Sequence, residues 1–168
     1  PLFGLNHDNY IGSLQQNNKP AASWAEFLIS QRLQPMLELA VNQGDVNYVE
    51  AKMAEPFFNR IAELFPAEKP ALLHGDFWSG NLLINDLHEP VLIDPAVYYG
   101  HREMDLAMMH LFGGFPARVF ESYHETFPLE TGWQNRLKLH QLYPLLVHVN
   151  LFGRSYWKRV QEILEPFS

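Results

Sequence analysis

Asp76, Asn81 and Asp94 are the residues best placed to do chemistry in this chain. An apolar triplet, Ala71-Leu72-Leu73, runs into His74-Gly75-Asp76-Phe77-Trp78-Ser79-Gly80-Asn81. A second triplet, Leu82-Leu83-Ile84, runs out of it, and a polar turn, Asn85-Asp86-Leu87-His88-Glu89-Pro90, follows. A third triplet, Val91-Leu92-Ile93, ends on Asp94. The pattern predicts two acids and an amide at the ends of short buried strands joined by tight turns. Polar groups buried among aliphatics cost free energy unless something compensates them. A divalent cation and a phosphate would compensate these. Gly75 lets the backbone turn tightly before Asp76, and Ser79-Gly80 read as turn residues.

The elements that must position this stretch are mostly helical. Residues 1–20 are rich in Asn, Gly, Gln and Pro and read as loop. Ser23 is expected to cap a helix, with Glu26 completing a capping box. Behind it Trp24, Phe27, Leu28, Leu33, Met36, Leu37 and Ala40 recur at helical spacing up to Gly44. Pro35 falls inside that pattern and predicts a kink or break. Asp45 is expected to cap the next helix, which runs to about Leu64 with Val46, Val49, Met53, Phe57, Ile61 and Leu64 on one face. Past the central stretch, Tyr98-Tyr99-Gly100 reads as a turn. Helices are then expected over Arg102 to Phe112, from Pro116 to before Pro128, from Trp133 to Phe152, and from Arg154 to Leu164. His140 and His148, two turns apart, read as surface or core-edge residues. Arg154, Lys158 and Arg159 read as a solvated basic face. The expected fold class is α+β, mainly helical, one domain with a small β-hairpin insert that carries the chemistry.

At 168 residues the chain can bury a proper core. It is 47% hydrophobic, 18% charged and unusually aromatic at 14%, which suggests a dense core or an aromatic-lined cleft. A net charge of −7 argues against a nucleic-acid surface. There is no cysteine, so no disulfide and no thiolate chemistry. No apolar run approaches membrane-spanning length, and no leader pattern precedes the first helix. A cytoplasmic location is the expectation. The eight histidines form no metalloprotease or Cys/His signature, so zinc is discounted.

Asp76 and Asn81 stand five residues apart, as in the His-x-Asp-x-x-x-x-Asn catalytic loop of the protein kinase-like fold. Asp94 follows where that fold puts its second metal-binding aspartate. The His-Gly-Asp form resembles the small-molecule branch, the aminoglycoside and choline kinases. The fuller string HGDFWSGN, followed by IDPAVYYGHREMDLAM, resembles the fructosamine kinase (ketosamine-3-kinase) family. HDNYIGS at the start, Trp-Ala-Glu-Phe and Gln-Arg-Leu are similar to that family too. The resemblance runs from near residue 1 to about residue 164 and is to the C-terminal lobe of such a kinase. An Asp-x-x-x-x-Asn pair alone is common; the His-Gly, the flanking triplets and the later acid make the constellation specific. The plain alternative makes Asp76 and Asn81 turn formers and Asp94 a strand-end cap.

The resemblance implies ATP-dependent phosphorylation of a sugar hydroxyl on a ketosamine, either a small sugar-amine or a glycated protein, with Mg2+. Phosphoryl transfer asks mainly for positioning and charge neutralisation. Asp76 fits the catalytic base, and Asn81 and Asp94 fit hard-oxygen metal ligands. Gly75, His74 and Asp105 fit supporting roles: His74 as a buried imidazole near the second acid, Asp105 as a helix cap or a bond back to the loop. Trp78 could stack on a sugar or fill the core, and His7 and Asp8 lie in a segment on the substrate side of the family. No Gly-rich phosphate-covering loop or strand lysine of the kinase type is evident in the sequence. The N-terminal ATP-binding lobe is therefore expected to lie outside this chain. The chain alone is expected to be inactive, with bared apolar surface that favours self-association. Two rival readings stand beside this one: a kinase of another small alcohol (aminoglycoside, choline or homoserine), and a non-catalytic binding module.

Overall fold

The computed structural model describes residues 2–168. Helices dominate it, and its strands pair only in twos, as three antiparallel two-stranded sheets. β1 (Asn9–Ile11) pairs with β2 (Leu14–Gln16), so the opening segment read as loop is a hairpin. Its chain ends are pinned by bridges from Phe3 to Ala21 and from Gly4 to Tyr99. A two-residue turn, Gly12-Ser13 with Gly12 at φ 55°, sets the hairpin's register.

The first helical run changes pitch twice. α1 (Trp24–Phe27) starts at Ser23, whose side chain accepts the Glu26 N–H, one half of the expected capping box. Residues Leu28–Leu33 continue as a π-helix, and α2 (Gln34–Gln43) resumes α geometry. Pro35 sits in the first turn of α2, where a missing N–H costs least. Gly44, at φ 83°, closes α2 in the left-handed region. The next cap is Asn47, not Asp45: Asn47 and Glu50 form a reciprocal capping box at the start of α3 (Tyr48–Ala51). Val49, expected on a buried face, is exposed because α3 is a short surface turn. The true buried face belongs to α4 (Glu55–Leu64), through Phe57 and Ile61.

β3 (Ala71–Leu73) pairs with β6 (Tyr98–Gly100), so the expected Tyr98 turn is a strand held by long-range pairing. β4 (Leu82–Ile84) and β5 (Pro90–Leu92) form the hairpin between them. That hairpin is not buried: Ile84 is 63% and Leu87 76% exposed, and Val91, Leu92 and Ile93 also face outward.

α5 (Glu103–Phe112) ends at Gly113, and Pro116 precedes α6 (Ala117–Thr126). The expected single helix over residues 133–152 is two, α7 (Trp133–His140) and α8 (Leu142–Phe152), divided at Gln141. Pro144 then falls in the first turn of α8, where no intrahelical N–H is required. Gly153 ends α8, and α9 (Trp157–Leu164) follows a short 3-10 turn. Arg154 is not merely solvated; it bonds the Glu50 carboxylate and the Asp45 carbonyl and ties α9 to the α3 loop.

The main core joins α1, α2, α4, α8 and α9, with Phe27, Leu37, Phe57, Leu145 and Trp157 deep inside it. A second cluster joins α5 to α7 through Leu106, Met109 and Leu137, and Phe77 of the central stretch packs on it. No helix among the described residues is long and apolar enough to cross a membrane.

Candidate active site

Asp105 anchors the turn that carries Asp76. Its Oδ2 accepts the His74 N–H at 2.8 Å and its Oδ1 accepts the Gly75 N–H at 2.9 Å. Burial pushes the Asp105 carboxyl above the ordinary carboxylate range, against those two bonds. Gly75 is required twice over. Its φ is 82°, and a Cβ there would stand 2.0 Å from the Ala96 carbonyl oxygen. Phe77 completes the anchorage by meeting Phe115 edge-on, ring centroids 5.3 Å apart.

Asp76 is half-buried, and Asn81 is buried. Asn81 Nδ2 donates to the Asp76 carbonyl at 2.9 Å and to Asp76 Oδ2 at 3.1 Å. Those bonds orient the amide, and Asn81 Oδ1 is left as its acceptor. Burial raises the Asp76 carboxyl above its ordinary value; the bond from Asn81 opposes that, as does the charge of His74. Asp94, an exposed side chain, lies close enough to raise Asp76 further by like-charge repulsion. Asp94 adopts φ 52°, a left-handed conformation uncommon outside glycine and costly enough to need support. Asn81 Oδ1 and the Asp94 carboxylate are hard oxygen donors of the type a magnesium ion takes, so this donor pair fits that ion.

His74 is half-buried rather than buried, and its Nε2 bonds the Ile93 carbonyl at 3.0 Å, one residue before Asp94. A carbonyl only accepts, so Nε2 carries the proton. The ring thus links the two acid-bearing segments.

A cavity of about 410 Å³ opens beside Asp76. Trp78, Phe112, His148, Phe152 and Tyr156 form its aromatic wall, and Ile11 and Gly12 of the N-terminal hairpin close one side. Trp78, left open between sugar stacking and core filling, lines this cavity and is 40% exposed. His7 and Asp8 do not line it: Asp8 Oδ1 accepts the Asn18 N–H at 2.7 Å, and His7 bonds Asn6. The hairpin reaches the cavity four residues later than the HDNY segment suggested. Phe112, Phe152 and Tyr156 carry no motif and became visible only when α5, α8 and the turn before α9 converged.

Behind the site lies a buried ionic cluster that the sequence hid. Arg136 clasps Glu103 at 2.6 and 2.9 Å, and His140 Nε2 lies 3.3 Å from Glu103 Oε2. His140 is fully buried, not a surface residue, because α7 turns it against α5 and His101. His101, Glu103 and His140 bring potential metal-ligating atoms within 4.8 Å of one another. The guanidinium of Arg136 already occupies both Glu103 oxygens, so the cluster reads as a structural joint between α5 and α7. Arg102 makes a second joint, to Glu68.

A crystal structure of a provisionally named fructosamine-3-kinase from Thermobifida fusca superposes with a TM-score of 0.91 at 42% identity, over 98% of this chain and 57% of that one. One from Haemophilus somnus gives 0.85 at 29% identity, over 99% and 56%. The fold is therefore α+β and kinase-like in class. The sequence model of the family described as fructosamine kinase matches residues 1–167, and the chain belongs to that family. A probable ketoamine kinase of Enterococcus faecium is 43% identical over 99% of this chain and 61% of its own length. The mouse ketosamine-3-kinase is 38% identical over 92% and 50%. An Arabidopsis thaliana chloroplastic protein-ribulosamine 3-kinase is 37% identical over 98% and 51%. The chain thus spans about half to three-fifths of the curated relatives it matches.

Proposed function

We propose that this chain supplies the acceptor site, the general base and the metal ligands of an ATP-dependent kinase that phosphorylates a sugar hydroxyl on a ketosamine. The acceptor is a small sugar-amine or a glycated protein. The observation that carries the reading is the placement of Asp76: its carboxylate borders an aromatic-walled cavity on one side and Asn81 and Asp94 on the other. Family membership supports the reaction class.

Asn81 holds Asp76 Oδ2, which leaves Oδ1 to accept a hydrogen bond from the acceptor hydroxyl. Asp76 then orients that oxygen and takes its proton as the bond to phosphorus forms; such positioned bases contribute roughly 10²–10⁴ in rate. A magnesium ion held by Asn81 Oδ1 and Asp94 would supply positive charge to the phosphate oxygens. Asp105, Gly75 and Phe77 hold the loop so that Asp76 need not reorganise. The aromatic wall covers the sugar-amine and excludes water from the hydroxyl. On this reading the nucleotide is covered by a separate lobe of the full-length kinase, and the present chain without it does not turn over ATP; the chain's spanning about half to three-fifths of its curated relatives supports that.

The test is a coupled ADP-release assay on the full-length protein with ATP, Mg2+, fructosyl-lysine and ribosyl-lysine, beside Asp76→Ala. Substrate-dependent ADP release that disappears in Asp76→Ala is expected. Turnover only with another alcohol would replace the acceptor and keep the site. ADP release undiminished in Asp76→Ala would refute the assignment of the base.

A further inference from the structure

Arg32 is fully buried in the π-helical stretch, and among the described residues no carboxylate pairs with it. Its charge lies against the rings of Tyr98, Phe27 and Tyr143, at 4.0, 4.5 and 5.3 Å. Its nitrogens donate to the Asn17 carbonyl, to the Gln31 carbonyl at 2.9 Å and to Asn18 Oδ1 at 2.7 Å. Residue 35 is proline and has no N–H to offer the Gln31 carbonyl.

An arginine can only donate, and that fixes the sense of every amide beyond it. Asn18 turns its Oδ1 to Arg32, so its Nδ2 donates to Asn9 Oδ1 at 2.8 Å. Asn9 Nδ2 in turn donates to the Val97 carbonyl at 2.8 Å. A parallel branch starts at Tyr143, whose hydroxyl donates to Gln16 Oε1 at 2.8 Å. Gln16 Nε2 then donates to Asn9 Oδ1 at 2.8 Å and to the Ala96 carbonyl at 3.1 Å. Both branches end on consecutive carbonyls, just after Asp94 and Pro95.

Ala96 is also where the two acid-bearing segments touch. Its N–H donates to the His74 carbonyl at 2.9 Å, and its own carbonyl leaves no room for a side chain at Gly75. Pro95 has a fixed φ, so few free torsions separate the clamped Ala96 peptide from Asp94. Asp94 itself holds φ 52°, a state that surrounding structure must enforce.

We propose that Arg32 and the N-terminal hairpin form a polarised hydrogen-bond relay that holds Asp94 in its left-handed conformation and thereby sets the site's affinity for a divalent cation. The proposal rests on the reading of Asp94 as a metal ligand. Arg32, Asn18, Asn9, Gln16 and Tyr143 are then positioning residues.

The test compares the wild type with Tyr143→Phe, Asn9→Ala and, as control, Asp94→Asn. Three properties are measured: Mn2+ affinity from the electron paramagnetic resonance signal of free Mn2+, the thermal midpoint, and amide hydrogen exchange across residues 94–97. Tyr143→Phe removes a single oxygen atom, so folding is retained. Each relay variant is expected to weaken Mn2+ binding roughly 3- to 10-fold, the scale of one lost hydrogen bond. Exchange at residues 94–97 rises, while the midpoint stays within a few degrees. Wild-type Mn2+ affinity in both relay variants, beside a weakened Asp94→Asn, would overturn the proposal, as would a loss of affinity that merely tracks unfolding. Undiminished affinity in Asp94→Asn would overturn the ligand reading and the cation half of the proposal. Unchanged exchange at residues 94–97 in the relay variants would overturn the other half.

Discussion

Replacing Asp105 by asparagine keeps the shape of the side chain and removes one of the two acceptors under the turn that carries Asp76. Asp105 accepts from His74 N–H and Gly75 N–H at 2.8 and 2.9 Å. Hydrogen bonds to a charged group contribute about 1.5–3 kcal/mol each. In Asp105→Asn, Oδ1 can serve one donor, while Nδ2 is turned against the other. One charge-assisted bond is lost and one buried N–H goes unsatisfied, which together would cost up to about 6 kcal/mol. The opposing term is relief of a buried carboxylate, whose desolvation is what raises the Asp105 pKa. The two leave a net loss of about 1–3 kcal/mol. For a chain of 168 residues that lowers the thermal midpoint by roughly 2–12 °C. Because Asp76 follows Gly75 directly, the same change displaces the proposed base, and a misplacement of that kind costs up to about 10²-fold in turnover. Circular dichroism melts of this chain and ADP release by the full-length protein with fructosyl-lysine are the assays. A midpoint within a degree of wild type together with turnover within twofold would refute the clamp.

Acid should destabilise the fold through the buried histidines. Burial first, and then the charge of His140, bring His101 from 6.5 down to about 3, and burial lowers His140 as well. A depressed histidine contributes stability that is full above its unfolded pKa and is lost as pH falls through 6.5 toward 3. Against the cost of burial, bonds from His140 and Arg136 bring Glu103 from 4.5 to about 2, and that contribution is lost between those values. The thermal midpoint should therefore decline from pH 6.5 downward, and His101→Phe should flatten the upper part of that decline; a midpoint level from pH 7 to 5 in the wild type would contradict this. Activity should fall on the acid side with an apparent pKa above the 3.8 of an ordinary aspartate, because burial raises Asp76 and only the ionised form accepts the proton. A kcat/KM profile flat down to pH 4 would count against Asp76 as base. Gly75→Ala places a methyl against the Ala96 carbonyl at positive φ and should cost more than about 2 kcal/mol, read from the unfolding midpoint in urea. Phe152→Ala should raise KM for the ketosamine roughly 2- to 10-fold with kcat little changed; equal losses in both would remove Phe152 from acceptor binding.

The local chemistry was legible because it is written in short range. Asp76 and Asn81 lie on one turn, so their spacing alone brings the amide to the carboxylate. Helix starts at Ser23 and stops at Gly44, Gly113 and Gly153 follow from capping and left-handed backbone, which a residue and its immediate neighbours decide. Periodicity likewise marked Phe57, Ile61, Leu37 and Trp24 as core. The errors fell where a partner distant in sequence decides. Tyr98–Gly100 is a strand because β3 lies beside it, and the Asn9–Gln16 hairpin is held by bonds of its amides to Val97, Ala96 and Tyr143. His140 is buried because α7 packs on α5, a fact that no helical period carries. The apolar residues leading to Asp94 suggest buried strands, yet Ile84, Val91, Leu92 and Ile93 are exposed, since residue type does not say whether another element covers them.

The kinase-like motif, the predominance of helix and the identity of the two acids and the amide at the candidate site follow from residue type and short spacing alone. Tertiary structure alone decided the aromatic wall, the Glu103–Arg136 joint and the conformation of Asp94. Each of these needs side chains from elements far apart in sequence to meet within a few ångströms. That meeting is set by how helices and hairpins pack, which the order of residues specifies only through the whole fold.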